Sequence, residues 1–241
     1  MPVPRSRIES NLGRIREDIA SACRRAGRRP EDVSIVAVTK TVEMDTIRNL
    51  LDLGLTDLGE SRVQQLATKA EQMAAYLRRR RSELPGEVRW HMVGHLQRNK
   101  VRAALEHARV IHSVDSLRLA EEINARAEGL GRRVDIFLQV NASEEPQKFG
   151  VAVGAAMHLA ELVCTLKYLR LVGLMAMAPL VDDPEKARPS FVRTRELLEE
   201  MRHDKVGGPA FRHLSMGMSQ DYPVAVEEGA TVLRIGTALF A

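Results

Sequence analysis

The sequence predicts an α/β fold: a single (β/α)8 barrel of the TIM type preceded by one extra helix. Three observations predict it. Eight short runs rich in apolar and β-branched residues follow one another, a helical pattern lies between each consecutive pair, and no tract rich in Pro, Gly or Ser splits the 241 residues. Strict alternation of strand and helix demands parallel pairing with right-handed crossovers. Eight such units at this length suit a closed barrel better than an open doubly wound sheet.

The extra helix starts near Arg5 and carries Ile8, Leu12, Ile15, Ile19 and Cys23 on one stripe, with Gly27 and Pro30 to end it. The first strand, Val33 to Thr39, holds Val33, Ile35, Val36 and Val38 at the density of a strand buried on both faces. Further strands are expected around Asp57 to Gly59, Val88 to Val93, Val110 to Ser113, Val134 to Val140, Leu169 to Met177, Phe211 to Ser215 and Thr231 to Ile235. Between them, helical spacing is expected over Met44 to Leu53, Ser61 to Leu77, Gln97 to His107, Ser116 to Gly129, Val151 to Leu166, Pro184 to His203 and Asp221 to Glu228.

Composition narrows the class. A hydrophobic fraction of 44 % is ample for one packed core. The opening MPVPRSRIES is not a secretory signal, and the longest apolar stretch, Leu171 to Val181, is too short to span a bilayer, so a cytoplasmic protein is expected. Cys23 and Cys164 stand far apart, as core thiols rather than a disulfide framework or thiolate metal site. The net charge of +4 permits an anionic partner, and Arg78 to Arg81 form the densest basic run. That run follows an apolar helical stripe and has no interleaved aromatic residues to stack bases, so it reads as a solvated helix end and nucleic acid is not expected as a partner.

In a barrel of this kind the active face lies at the C-terminal ends of the strands. Chemistry-bearing residues fall there: Lys40 after the first strand, Gly59-Glu60-Ser61 after the second, His91 to His95 after the third, Met175 to Met177 on the sixth, Ser215 to Ser219 after the seventh and Arg234 to Thr237 after the eighth. The stretch LSMGMSQDYP puts Ser215, Gly217 and Ser219 before a helix start, and RIGT adds Gly236 and the Thr237 hydroxyl, the usual placement of a phosphate site in such barrels. Ordinary capping and turns would also explain each piece separately. A phosphate corner and an amine in one mouth point to a phosphorylated aldehyde held as a Schiff base, with pyridoxal 5′-phosphate the obvious candidate. Lys40 is then the amine, expected to lie over an apolar floor of Val36 and Val38 that desolvates it.

AVTKT, LGE, WHMVGHLQRNK, IHSVDS, GLMAM, LSMGMS and RIGTALF, in that order, resemble the YggS/PROSC family of pyridoxal phosphate homeostasis proteins, relatives of the barrel domain of alanine racemase. The resemblance implies a single barrel domain, a monomer, with the cofactor on Lys40. It places the phosphate near Ser215, Gly217, Ser219, Gly236 and Thr237, and sets Arg234 against the pyridine nitrogen. It also implies cofactor delivery to pyridoxal-phosphate-dependent apoenzymes. Two positions depart from the family pattern: Ser61 replaces an asparagine, and Val42 stands where a second lysine is common. Lys148 matches another lysine that the family often has.

An arginine at the ring nitrogen cannot readily supply the proton that strengthens the cofactor's electron sink, and racemases of this type need a second base. Of the three tyrosines only Tyr222 is expected near the mouth, so a carrier is favoured over an amino-acid racemase. His91 and His95 stand four apart, but Gly94 breaks the helical face that metal ligation at this spacing would need, and no metal is expected. His91 is taken as a structural or ring-contacting group and Met175 as a residue bordering the ring. Glu60 is read as a structural residue of a first helical turn.

Overall fold

The computed structural model describes residues 2–79, 86–145 and 147–241, so Arg80 and Arg81 of the basic run and Pro85 lie outside the described residues. Helix α1 (Arg5–Arg25) buries the predicted stripe of Ile8, Leu12, Ile15, Ile19 and Cys23. It ends as the sequence indicates: Gly27 takes φ 66°, and the Arg28 N–H donates to the Cys23 carbonyl at 2.8 Å across the turn.

Nine strands follow in the described residues: β1 (Ser34–Val38), β2 (Asp57–Glu60), β3 (Arg89–Met92), β4 (Ala108–Val114), β5 (Val134–Asn141), β6 (Val151–Ala152), β7 (Leu169–Ala176), β8 (His213–Ser215) and β9 (Val232–Ile235). All pairings are parallel. The order β4-β3-β2-β1-β9-β8-β7-β5, with β4 paired to β5, closes an eight-stranded barrel. The two-residue β6, expected as the start of a helix, only extends the end of β5. The surrounding helices are α2 (Met44–Asp52), α3 (Val63–Arg79), α4 (Val101–His107), α5 (Leu117–Gly129), α6 (Val153–Cys164), α7 (Arg188–His203), α8 (Tyr222–Glu227) and α9 (Thr237–Phe240).

Successive strand residues alternate between two cores, as the pleat requires. Ala37, Ile136 and Leu138 face the layer between barrel and helices, while Val36, Val110, Phe137, Val172, Met175 and Val232 form a separate cluster inside the barrel. Gly173 marks where β7 and β8 press together: a Cβ there would sit 1.8 Å from the His213 carbonyl oxygen. Among the described residues no helix is long and apolar enough to cross a membrane.

Candidate functional site

A cavity of about 600 Å³ opens at the C-terminal ends of the strands. Lys40 beyond β1, Ser61 beyond β2, Ser219 beyond β8, and Arg234, Gly236 and Thr237 on and beyond β9 all line it. The structure therefore brings six of the expected residues to one mouth, and leaves Met175, His91, Ser215 and Gly217 out of it.

Lys40 is exposed, so the desolvation expected of it is absent. Val38 does line the cavity, but Val36 belongs to the barrel interior. The amine's position comes instead from its backbone. Lys69 of α3 donates through Nζ to the Thr39 carbonyl and to Glu60 Oε1, both at 2.6 Å, and the Thr39 hydroxyl donates to Glu60 Oε1 at 2.8 Å. Glu60 is fully buried at the end of β2, so it is the hub of an ion pair rather than a first-turn residue of a helix. Lys69 was not legible as a site residue. Its one signal is a charge beside the buried apolar positions Leu66, Ala70 and Met73 of α3.

The corner expected to hold a phosphate is built by α9, not α8. Ser219 Oγ accepts the Gly236 N–H at 3.3 Å and the Ala238 N–H at 3.1 Å, which leaves the serine hydroxyl proton available to donate into the cavity. Helix α8 begins further on, and Asp221, just before it, accepts the Met218 N–H at 2.6 Å. Burial raises the Asp221 pKa, and the Met218 N–H and the charge of Arg234 counteract it. Four residues are too few for a helical period, which is why α9 was missed.

Arg234 is buried yet reaches the cavity. Its Nη1 donates to Ser215 O at 2.6 Å and Ser215 Oγ at 2.8 Å, and its Nη2 donates to Ala176 O at 3.0 Å. Burial lowers its pKa to about 10, with Asp221 opposing, so the guanidinium is cationic at neutral pH.

From Ser215 a chain of contacts crosses the barrel: Ser215 Oγ to His112 Nδ1 at 2.8 Å, His112 Nε2 to His91 Nδ1 at 2.9 Å, and His91 Nε2 to Asp57 Oδ1 at 2.9 Å. Burial, the largest influence on both, holds both imidazole pKa values below the ordinary value, His112 well below. With neutral rings, one assignment gives each contact a donor and an acceptor. Because the Asp57 carboxylate only accepts, His91 carries its proton on Nε2, His112 donates from Nε2, Ser215 donates to His112, and Arg234 donates to Ser215.

Four expectations are corrected by this arrangement. Ser215 is fully buried with its hydroxyl engaged by His112 and Arg234, so it positions the arginine and does not face the cavity. His91 lies within β3, shifted in register against β4, and turns into the interior toward the opposite mouth. Gly217, at φ 92°, serves the backbone: its carbonyl accepts the Arg234 N–H at 3.0 Å. Met175 sits in the covered interior cluster, and Met177, packed on that cluster from above, lines the cavity in its place. Tyr222 is also turned away, its hydroxyl donating to Asp18 on α1. His95 stacks on Phe149 with ring centroids 4.0 Å apart, and Lys148 pairs with Glu145 at 2.6 Å. Val42, at one of the two departures, is buried in the outer core.

A family model described as the N-terminal domain of alanine racemase matches residues 10–241. A pyridoxal phosphate homeostasis protein of Aquifex aeolicus is 38 % identical over 95 % of this chain and 95 % of its own. The chain belongs to that family. Its Escherichia coli (strain K12) relative, with the same name, is 34 % identical and covers 97 % of this chain and 95 % of its own. Among solved structures, PipY of Synechococcus elongatus with PLP bound superimposes with a TM-score of 0.78 at 32 % identity, covering 94 % of this chain and 100 % of that one.

Proposed function

We propose that this chain binds pyridoxal 5′-phosphate with Lys40 as its covalent anchor, and that it holds and releases the cofactor in intracellular homeostasis rather than turning over amino acids. The observation that carries the reading is that the Lys40 amine and the donor corner of Ser219, Gly236 and Thr237 share one cavity. The donor set fits the group: a primary amine for its aldehyde, hydroxyl and N–H donors for its phosphate, and a cation for its ring.

When bound, the cofactor supplies an electron sink for chemistry at an amino acid's α-carbon. This chain's residues support retention better than turnover. Arg234 is held by three hydrogen bonds and keeps its proton at neutral pH. Among the described residues no tyrosine, histidine, cysteine or carboxylate side chain lines the cavity, so beside Lys40 there is no evident second base. The exposure of Lys40 suits handover to an apoenzyme that requires the cofactor. The same reading takes the protein as a cytoplasmic monomer without a nucleic-acid or membrane partner.

The test is the visible absorbance of the purified protein loaded with pyridoxal 5′-phosphate, followed by borohydride reduction and peptide mapping. The label is expected on Lys40, and a Lys40→Ala variant is expected to lose the absorbance; a variant that keeps it overturns the assignment. Exchange of the α-hydrogen of amino acids in heavy water above the rate of free cofactor would favour a racemase-type enzyme instead.

A further inference from the structure

We propose that the opposite mouth of the barrel is a second ligand site, which takes a small organic anion combining an apolar ring with one phosphate or carboxylate. A cavity of about 410 Å³ opens at the N-terminal ends of the strands, a volume that holds a small molecule. Its floor is apolar, formed by Val110, Phe137, Val172 and Val232 of the interior cluster. Its rim carries Arg89, Arg170 and Arg212.

Three of the four carboxylate oxygens of Asp57 and Asp135 at this mouth are engaged, whereas guanidinium donors of Arg89 and Arg212 are free among the described residues. Both oxygens of Asp135 accept from Arg170 at 2.6 Å, and Asp57 Oδ1 accepts from Arg89 Nε at 2.7 Å and from His91 Nε2 at 2.9 Å. Arg89 uses only Nε in that pair, so both its Nη groups remain. Arg212 is exposed and its guanidinium makes no hydrogen bond or ion pair among the described residues. At His213, Nδ1 lies 3.2 Å from Thr231 Oγ1, which already accepts the Leu214 N–H at 3.0 Å. That contact engages Nδ1 and leaves Nε2, donor or acceptor by tautomer, to meet a ligand; burial, the largest influence on this ring, lowers its pKa and favours the neutral form.

Three guanidinium groups against two carboxylates leave one positive charge in surplus, and the free hydrogen-bonding capacity of the rim is dominated by donors. Such a rim recognises an anionic head, and guanidinium is the group best suited to bind phosphate or carboxylate. The apolar floor beneath adds affinity for a ring over a bare anion. Lys40 lies at the other mouth and the cofactor has no part in this one, so the second site and the proposed function stand or fall separately.

The test is calorimetric titration of the full chain with phenyl phosphate, benzoate and inorganic phosphate. Phenyl phosphate or benzoate is expected to saturate a site at least about tenfold more tightly than inorganic phosphate. Arg212→Ala, an exposed substitution that the fold tolerates, is expected to weaken that binding about tenfold or more. Ala210→Trp, which fills the rim without removing a charge, is expected to abolish it, whereas Ser219→Ala at the other mouth is expected to leave it unchanged. Absence of saturable binding by either aromatic probe overturns the proposal. So does binding that Ser219→Ala removes and Arg212→Ala spares, or equal affinity for inorganic phosphate.

Discussion

Lys69 Nζ donates to the carbonyl oxygen of Thr39 at 2.6 Å, so the backbone immediately before Lys40 is tied to helix α3. The same ammonium neutralises the fully buried Glu60. An exposed amine gains a defined origin from a buried ion pair on its neighbour, which is how a flexible side chain is delivered to one place in the mouth.

Lys69→Met removes the cation and leaves the Glu60 carboxylate buried with the Thr39 hydroxyl as its remaining side-chain partner. The expected loss is about 3–5 kcal/mol of stability, measured by urea denaturation. The double variant Lys69→Met, Glu60→Gln is expected to recover much of it, because the uncompensated charge is then gone.

Acid should destabilise the protein through its buried imidazoles. His91 and His112 have folded pKa values below the ordinary one, so below about pH 6.5 the unfolded chain takes up protons that the folded chain refuses. Their contribution is complete above that pH and declines as pH falls, with a slope of up to about 1.4 kcal/mol per pH unit for each ring. Asp57 adds nothing in this window. Its pKa falls from 3.8 to about 2, held down by His91 and Arg89 against its burial, so its contribution is present above 3.8 and is lost as pH falls through 2. Urea midpoints between pH 7.5 and 5 measure the slope, and His112→Gln should flatten it.

Ser215→Ala deletes the hydroxyl that donates to His112 and accepts from Arg234. His112 Nδ1 then lacks a partner and Arg234 keeps two of its three hydrogen bonds, to the Ser215 and Ala176 carbonyls, so the expected cost is about 1–3 kcal/mol, read from thermal or urea melts. A loss of pyridoxal 5′-phosphate affinity beyond that of a neutral core substitution would report on an Arg234 that is held less firmly.

Gly94 and Gly129 should respond oppositely to alanine. A Cβ at Gly94 would lie 2.3 Å from the Ser61 carbonyl oxygen, a backbone atom that cannot swing aside, so Gly94→Ala should cost about 1–3 kcal/mol and distort the cavity wall. At Gly129, in the last turn of α5, a Cβ meets nothing within 4 Å, and Gly129→Ala should be neutral or stabilising by up to about 1 kcal/mol. Paired thermal melts check both.

Much of the site was legible because barrel topology turns a strand's end into an address. Lys40, Ser219, Gly236 and Thr237 follow strand segments, and any parallel strand that closes into a barrel must carry them to the same face. Which mouth an internal residue faces was not legible. His91 stands two residues inside β3 and beside a register shift, and one step of pleat moves a side chain to the other layer. Lys69 and His112 were missed for a related reason: each matters only through a partner distant in sequence, Lys69 through Glu60 and Thr39, His112 through His91 and Ser215.

The N-terminal helix with its glycine stop, each strand and helix, and the position of the amine were written in local patterns, since each follows from spacing within a dozen or so residues and from the burial that this spacing permits, and the count of eight alternating units then indicated the barrel. The route of Arg234 through Ser215, His112 and His91 to Asp57, the Lys69 anchor and the two separate mouths were decided only when the sheet closed. Closure brings β2, β3, β4, β8 and β9 around one interior, and polar groups buried there must be hydrogen-bonded, which in this arrangement they are to one another.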